Sequence, residues 1–241
     1  MATPATSISF GMSAHGDAPL ANQALARLRR AYPTAPTWLV TDDDPDPAFD
    51  EIAREHAVRL VRGERLFAQE AGGGYWQRFL DLWRSHRTTH FVRIDTDTWI
   101  HRPLDVLPAR QEPVLFGTSR LDTGFVHVPH IQGGFIGFTQ AAWERIDASR
   151  LLADPGYRHP AYARQVAFTP AYLEARRRSG MLSTDLVLTD VAYRAGLELR
   201  DHPEVHCLWF TRQRVEAMWA EGRRPIPEEA LTAYAVTHPH K

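Results

Sequence analysis

Asp95 and Asp97 stand one residue apart at the end of an apolar run, Phe91-Val92-Arg93-Ile94, with Thr98-Trp99-Ile100 following. In an extended chain side chains repeat at every second position. Both carboxylates would then project to one side, with Cα atoms about 6.5–7 Å apart, and can face one cation. Two like charges so close are costly unless positive charge lies between them. Carboxylate oxygens suit hard divalent ions, Mg²⁺ or Mn²⁺, which keep coordination positions for water and substrate phosphate. The chemistry implied is capture of a phosphorylated ligand through a metal. The plain structural alternative is a solvated strand-to-turn junction capped by Thr98.

The elements that must position this pair alternate between strand and helix patterns. Ser7 to Met12 reads as a first strand, opening into the loop Ser13-Ala14-His15-Gly16 before an amphipathic helix from about Leu20 to Tyr32. Trp38-Leu39-Val40 is a second strand that runs into Thr41-Asp42-Asp43-Asp44, so the opening is a βαβ unit with a parallel pair. A helix over Pro47–His56 and a strand over Val58–Val61 come next. Tyr75, Trp76, Phe79, Leu80 and Trp83 then fall at helical spacing and face the core. That helix delivers the chain into the strand ending at Asp95. In open α/β sheets the ligand crevice lies outside the carboxyl ends of the strands, where the acidic pair would sit.

Beyond the pair, Val114–Gly117 and Gly124–Val128 look like strands, as does Ile131–Phe138. The last holds Gly133-Gly134 in its interior, a pattern compatible with close backbone approach by a ligand or with a bulge alone. Thr139 is placed to cap a helix over Ala141–Ile146. Residues 147–180 show little periodicity but hold Tyr157, Tyr162, Phe168 and Tyr172, suited either to a second substrate's pocket or to irregular packing. Ser183-Thr184-Asp185 opens an amphipathic helix that stops near Gly196. Glu198–Arg200 and Val205–Trp209 read as late strands or loops, and Gln213–Ala220 as a helix. The chain closes with Val236-Thr237-His238-Pro239-His240-Lys241.

Composition narrows the classes. With Lys+Arg 28 against Asp+Glu 29 the net charge is −1, so no global field draws nucleic acid or an anionic membrane. A single cysteine, Cys207, excludes an internal disulfide and a cysteine-based zinc site. The N-terminus has no signal-peptide pattern and no apolar run reaches membrane-span length, so a cytoplasmic protein is expected. At 241 residues without a Pro/Gly/Ser-rich linker, one domain is expected.

Four features in order, namely the strand ending in Asp95-Thr96-Asp97, the Gly133-Gly134-Phe135-Ile136-Gly137 strand, Thr184-Asp185 at a helix start, and a late His238 followed by Lys241, resemble the GT-A fold of nucleotide-sugar-dependent glycosyltransferases. The resemblance spans roughly Ile8 to Lys241. It implies an α/β, Rossmann-like single domain with a central, mostly parallel sheet flanked by helices and an irregular insertion. Residues of about 1–100 would form a nucleotide-binding half and about 101–241 an acceptor-binding half. It further implies transfer of a sugar, hexosyltransferase-like, from a nucleoside diphosphate sugar, with a UDP-sugar as the expected donor, to a glycan or small-molecule hydroxyl.

By the same resemblance Asp97 and His238 would hold Mn²⁺ or Mg²⁺, and Asp95 would contact the metal or the nucleotide ribose. Imidazole beside carboxylate oxygens suits Mn²⁺, and His240 competes with His238 for that role. Met12, Ser13 and Asp42 would line the nucleoside site, Arg78 would reach phosphate or ribose, Gly133 and Gly134 would lie beside the donor sugar, and Lys241 would neutralise a diphosphate oxygen. Where the superfamily carries two acids at the acceptor helix, this sequence has Thr184-Asp185. Asp185 would be the general base of an inverting enzyme, or would position the acceptor in a retaining one.

Two other readings share these residues. Ile94-Asp95-Thr96-Asp97-Thr98 also resembles the nucleophile motif of haloacid-dehalogenase-type phosphatases, in which Asp95 would attack phosphorus. That family usually carries the motif on its first strand, whereas about ninety residues precede it here. A GT-A-like domain that binds a nucleotide sugar or glycan without turning it over fits the missing second acid. His127-x-x-His130 lacks the helical context of a zinc hydrolase.

Overall fold

The computed structural model describes residues 7–42, 45–63, 72–120, 130–153, 184–208, 217–218, 220–222, 226 and 228–240. Its first half is a run of strand–helix units: β1 (Ile8–Ala14), α1 (Ala18–Ala31), β2 (Thr37–Asp42), α2 (Ala48–Glu55), β3 (Arg59–Gly63), α3 (Gly72–His86) and β4 (His90–Asp95). The second half holds β5 (Trp99–Ile100), β6 (Val114–Arg120), β7 (His130–Thr139), α4 (Gln140–Ser149), α5 (Thr184–Arg194), β8 (Glu198–Asp201), β9 (Val205–Cys207), α6 (Glu228–Ala233) and β10 (Val236–His238).

Among the described residues these strands form two sheets. The larger has the order β3-β2-β1-β4-β7-β6-β8. β3, β2, β1 and β4 run parallel, joined by strand–helix–strand crossovers, while β7 pairs antiparallel with both β4 and β6. The expected mixed α/β architecture, with a large and mostly parallel central sheet, is the one found.

Both faces of the large sheet are covered, which explains why its strands read as nearly continuous apolar runs. One core joins Phe10, Met12, Val92 and Ile94 to α1 and α2 through Leu25, Leu28, Phe49 and Ile52. The other joins Trp38, Phe91, Ile136 and Phe138 to α3, α4 and α5. The aromatics expected from helical spacing, Trp76, Phe79 and Trp83, are all buried there. Thr139 caps α4, its hydroxyl accepting from the Ala142 amide at 3.2 Å.

The smaller sheet has the order β5-β10-β9. Its strands are too short for a periodic signal, so β5 and β10 carry no signature in the sequence. The expected strand over Gly124–Val128, most of the 147–180 region and most of the Gln213–Ala220 helix lie outside the described residues. No helix among the described residues is long and apolar enough to cross a membrane.

Candidate metal centre

β4 carries Asp95 as its last residue and then turns, the Thr98 amide donating to the Asp95 carbonyl at 3.2 Å. Asp97 therefore sits in a turn. The expectation that strand alternation alone aligns Asp95 with Asp97 is corrected: the turn folds the second carboxylate back toward the rim of the sheet. Asp97 ends 2 % exposed, whereas Asp95 keeps 31 %.

The smaller sheet brings in His238. β5 begins two residues after Asp97 and pairs antiparallel with β10, Thr237 opposite Trp99 and Val236 opposite Ile100. Antiparallel pairing runs β10 back along β5, so the residue after Thr237 falls beside the turn. His238 Nε2 lies 3.1 Å from Asp97 Oδ1 and 3.9 Å from Asp95 Oδ2. On its other side β10 is held by β9, with the Leu208 amide donating to the His238 carbonyl at 2.9 Å.

β7 supplies the floor. Gly134 has φ +96, and a Cβ built there would stand 2.6 Å from Cγ of the His238 ring. Thr98 Oγ1 donates to the Gly134 carbonyl at 2.6 Å, tying this floor to the acidic turn. The glycine requirement at 134 thus has an intramolecular cause, since the imidazole occupies the volume a side chain would need.

The donor set fits a divalent cation. One ligand atom from each of Asp95, Asp97 and His238 lies within 4.8 Å of the others. Carboxylate oxygens with one imidazole nitrogen match the preferences of Mn²⁺ and related ions. A nearly buried carboxylate beside a second one is stabilised by positive charge at the same place. His240, the competing ligand, is directed elsewhere. Its Nε2 is 2.6 Å from Thr237 Oγ1, its ring stacks on Trp99 at 3.7 Å, and its amide donates to the Asp97 carbonyl at 3.0 Å. Burial first, then nearby His101, His238 and Arg27, push its pKa down to about 3. It serves as a neutral clamp on the turn.

The other expected site residues are distributed as follows. Ser13 pairs with Asp95 in the β1–β4 register, at the same rim. Met12 is 0 % exposed, its side chain part of the core. Asp42 closes β2 opposite Gly63 of β3, and the Arg78 guanidinium packs on Gly63, so Asp42 and Arg78 share one corner of the rim. Gly133 precedes Gly134 in β7. Asp185 is in the first turn of α5, and its side chain lies outside what the structure describes, as does Lys241. Cys207 is buried, which pushes its thiol up to about 12 and leaves it inert near neutral pH.

Sequence reasoning missed Arg93 and Tyr75. Arg93 is nearly buried, its Nη2 2.5 Å from Asp95 Oδ1 and its Nε donating to the Tyr75 hydroxyl at 2.8 Å. The available signal was a charged residue inside an apolar strand, two positions before a carboxylate. A buried charge is retained when it is paired.

No family model and no curated protein matches the chain. Solved structures do. A galactosyltransferase LgtC complex with donor and acceptor sugar analogues is 12% identical, covering 97% of this chain and 87% of that one, with a TM-score of 0.51. An active-site mutant of LgtC aligns with the same coverage at a TM-score of 0.53. The apo form of glycosyltransferase GlyE from Streptococcus pneumoniae TIGR4 is 11% identical with a TM-score of 0.52, over 98% of this chain and 55% of that one. At these identities the likeness establishes the fold. The chain has the GT-A fold, the fold of those glycosyltransferases.

Proposed function

We propose that this protein is a metal-dependent glycosyltransferase that moves a sugar from a nucleoside diphosphate sugar to an acceptor hydroxyl. One observation carries the reading: two carboxylates and an imidazole from distant parts of the chain converge within 4.8 Å at the carboxyl-end rim of a GT-A sheet.

In this reading Asp97 and His238 hold the cation from the buried side and Asp95 from the crevice. When bound, a divalent cation there stabilises the negative charge that builds on a departing diphosphate. Ser13 and Asp42 lie along the strand ends beside the nucleoside, and Arg78 stands at the same corner as Asp42, suited to a phosphate or ribose oxygen. Gly133 and Gly134 flank the donor sugar. Asp185 takes the acceptor proton if the configuration inverts, or orients the acceptor if it is retained, and Lys241 neutralises a diphosphate oxygen. A UDP-sugar is the first donor to try.

The test is slow donor hydrolysis with Mn²⁺ across a panel of nucleotide sugars. One donor is expected to be turned over, EDTA to abolish the reaction, and Asp97→Ala to lower it at least about a hundredfold, ~2.7 kcal/mol at ~1.4 kcal/mol per factor of ten. EDTA-insensitive turnover by Asp97→Ala at the wild-type rate would overturn the metal assignment.

A further inference from the structure

Arg93 lies beneath the acidic pair and is fixed from two directions. Its Nη2 is 2.5 Å from Asp95 Oδ1, and its Nε donates to the Tyr75 hydroxyl at 2.8 Å. Tyr75 is itself immobilised in α3, its ring 5.1 Å from those of Trp76 and Phe79, and it is bonded to the Ser13 side chain. One Asp95 oxygen is therefore committed to the guanidinium. The other, Oδ2, is the one that faces His238. Because the guanidinium is permanently charged, it offsets one of the two carboxylates whether or not a cation is present. Counting Asp95, Asp97 and Arg93 alone, with the imidazole neutral, one negative charge meets a divalent ion, and these groups with the ion are together net positive.

We propose that Arg93 is a positioning residue that couples the cation to an anionic co-ligand. By offsetting Asp95, it makes the site hold a bare divalent ion weakly and hold it firmly when a nucleoside diphosphate supplies the missing negative charge. This rests on the reading of the site as a sugar-nucleotide site. The geometry also sets how Asp95 presents itself. With Oδ1 held by Arg93, Asp95 offers a single oxygen to the ion. Arg93 thus acts through Asp95 and not on the substrate.

The experiment measures Mn²⁺ affinity from the electron paramagnetic resonance of the free ion, alone and with UDP, GDP or ADP. Titrations without protein correct for nucleotide chelation. For wild type at least one diphosphate is expected to tighten Mn²⁺ binding about tenfold or more, within the usual range for coupled sites. Arg93→Met is expected to bind bare Mn²⁺ at least as well as wild type and to lose most of that factor, while Arg93→Lys keeps the charge and most of the factor. If no diphosphate tightens Mn²⁺ on wild type, the sugar-nucleotide reading falls and this proposal falls with it. If wild type shows the factor and Arg93→Met shows the same one, Arg93 is structural only and this proposal alone is overturned. Should Arg93→Met fail to fold, Tyr75→Phe carries the test. Without the phenol oxygen the guanidinium is less firmly held, the factor is expected to drop about threefold, and an unchanged factor overturns the proposal.

Discussion

The imidazole of His238 lies against the backbone of Gly134, where an added Cβ would stand 2.6 Å from the ring. Two elements distant in sequence thus define one wall of the acidic site. Gly134→Ala adds both a clash with the ring and the strain of a side chain at φ +96, about 1–3 kcal/mol. The expected outcome is a lower melting temperature and Mn²⁺ binding weakened at least about tenfold as His238 is displaced. Unchanged Mn²⁺ affinity in a folded Gly134→Ala protein would contradict this account of the wall.

The structure separates the two tail histidines. His238→Ala removes a donor atom and is expected to take Mn²⁺ binding below detection. His240→Ala removes the stack on Trp99 and the bond to Thr237 but leaves every donor atom in place. Its cost is expected to be about tenfold, as for residues that orient a ligand. Calorimetric titration of both variants decides the matter, and the reverse order of severity would exchange their roles.

Core packing on the α3 face is dense around Trp143. Its ring stacks on Phe138 at 4.0 Å and on Trp83 at 6.3 Å, and meets Phe91 edge-on at 5.8 Å. Trp143→Ala is expected to cost about 3–5 kcal/mol in urea unfolding. A loss under about 1 kcal/mol would mean that the cavity collapses freely, contrary to this packing.

Acid sensitivity has an identifiable source away from the site. His90 is buried, its Nε2–H donating to the Pro108 carbonyl at 2.8 Å, and burial holds its pKa below the ordinary 6.5 despite that bond. Below pH 6.5 the unfolded chain takes up a proton that the folded protein resists, so stability rises with pH in that window and is lost as pH falls. Urea midpoints in EDTA at pH 7.5 and 5.5 are expected to fall less for His90→Gln than for wild type. An equal fall would remove His90 from the explanation.

The legible and illegible parts of this molecule differ in their physics. The parallel half could be read because its strands are buried on both faces and its helices are amphipathic, so Trp38–Val40, the α3 aromatics and the run into Asp95 each leave a pattern. Asp95, Asp97 and His238 were legible as residue types in order along the chain. Their convergence was not, because it depends on a turn after β4 and on a two-residue strand, Trp99–Ile100, pairing with Val236–His238. Such short strands carry no periodicity, and their register is set by tertiary contacts. The glycine at 134 suggested close approach, but a sequence cannot show that the His238 ring fills the space a Cβ there would need. Arg93 showed itself only as a charge where an apolar residue would serve, and its partner Tyr75 was indistinguishable from its core neighbours on α3.

In the proposed function Asp95, Asp97 and His238 together hold a divalent cation that carries a nucleoside diphosphate. Anomalous diffraction at the manganese edge, from crystals grown with Mn²⁺ and UDP, addresses it directly. A single strong peak is expected within bonding distance of Asp95 Oδ2, an Asp97 oxygen and His238 Nε2, with diphosphate oxygens on the same ion. A Mn²⁺ peak elsewhere on the protein, with none between these side chains, would contradict it.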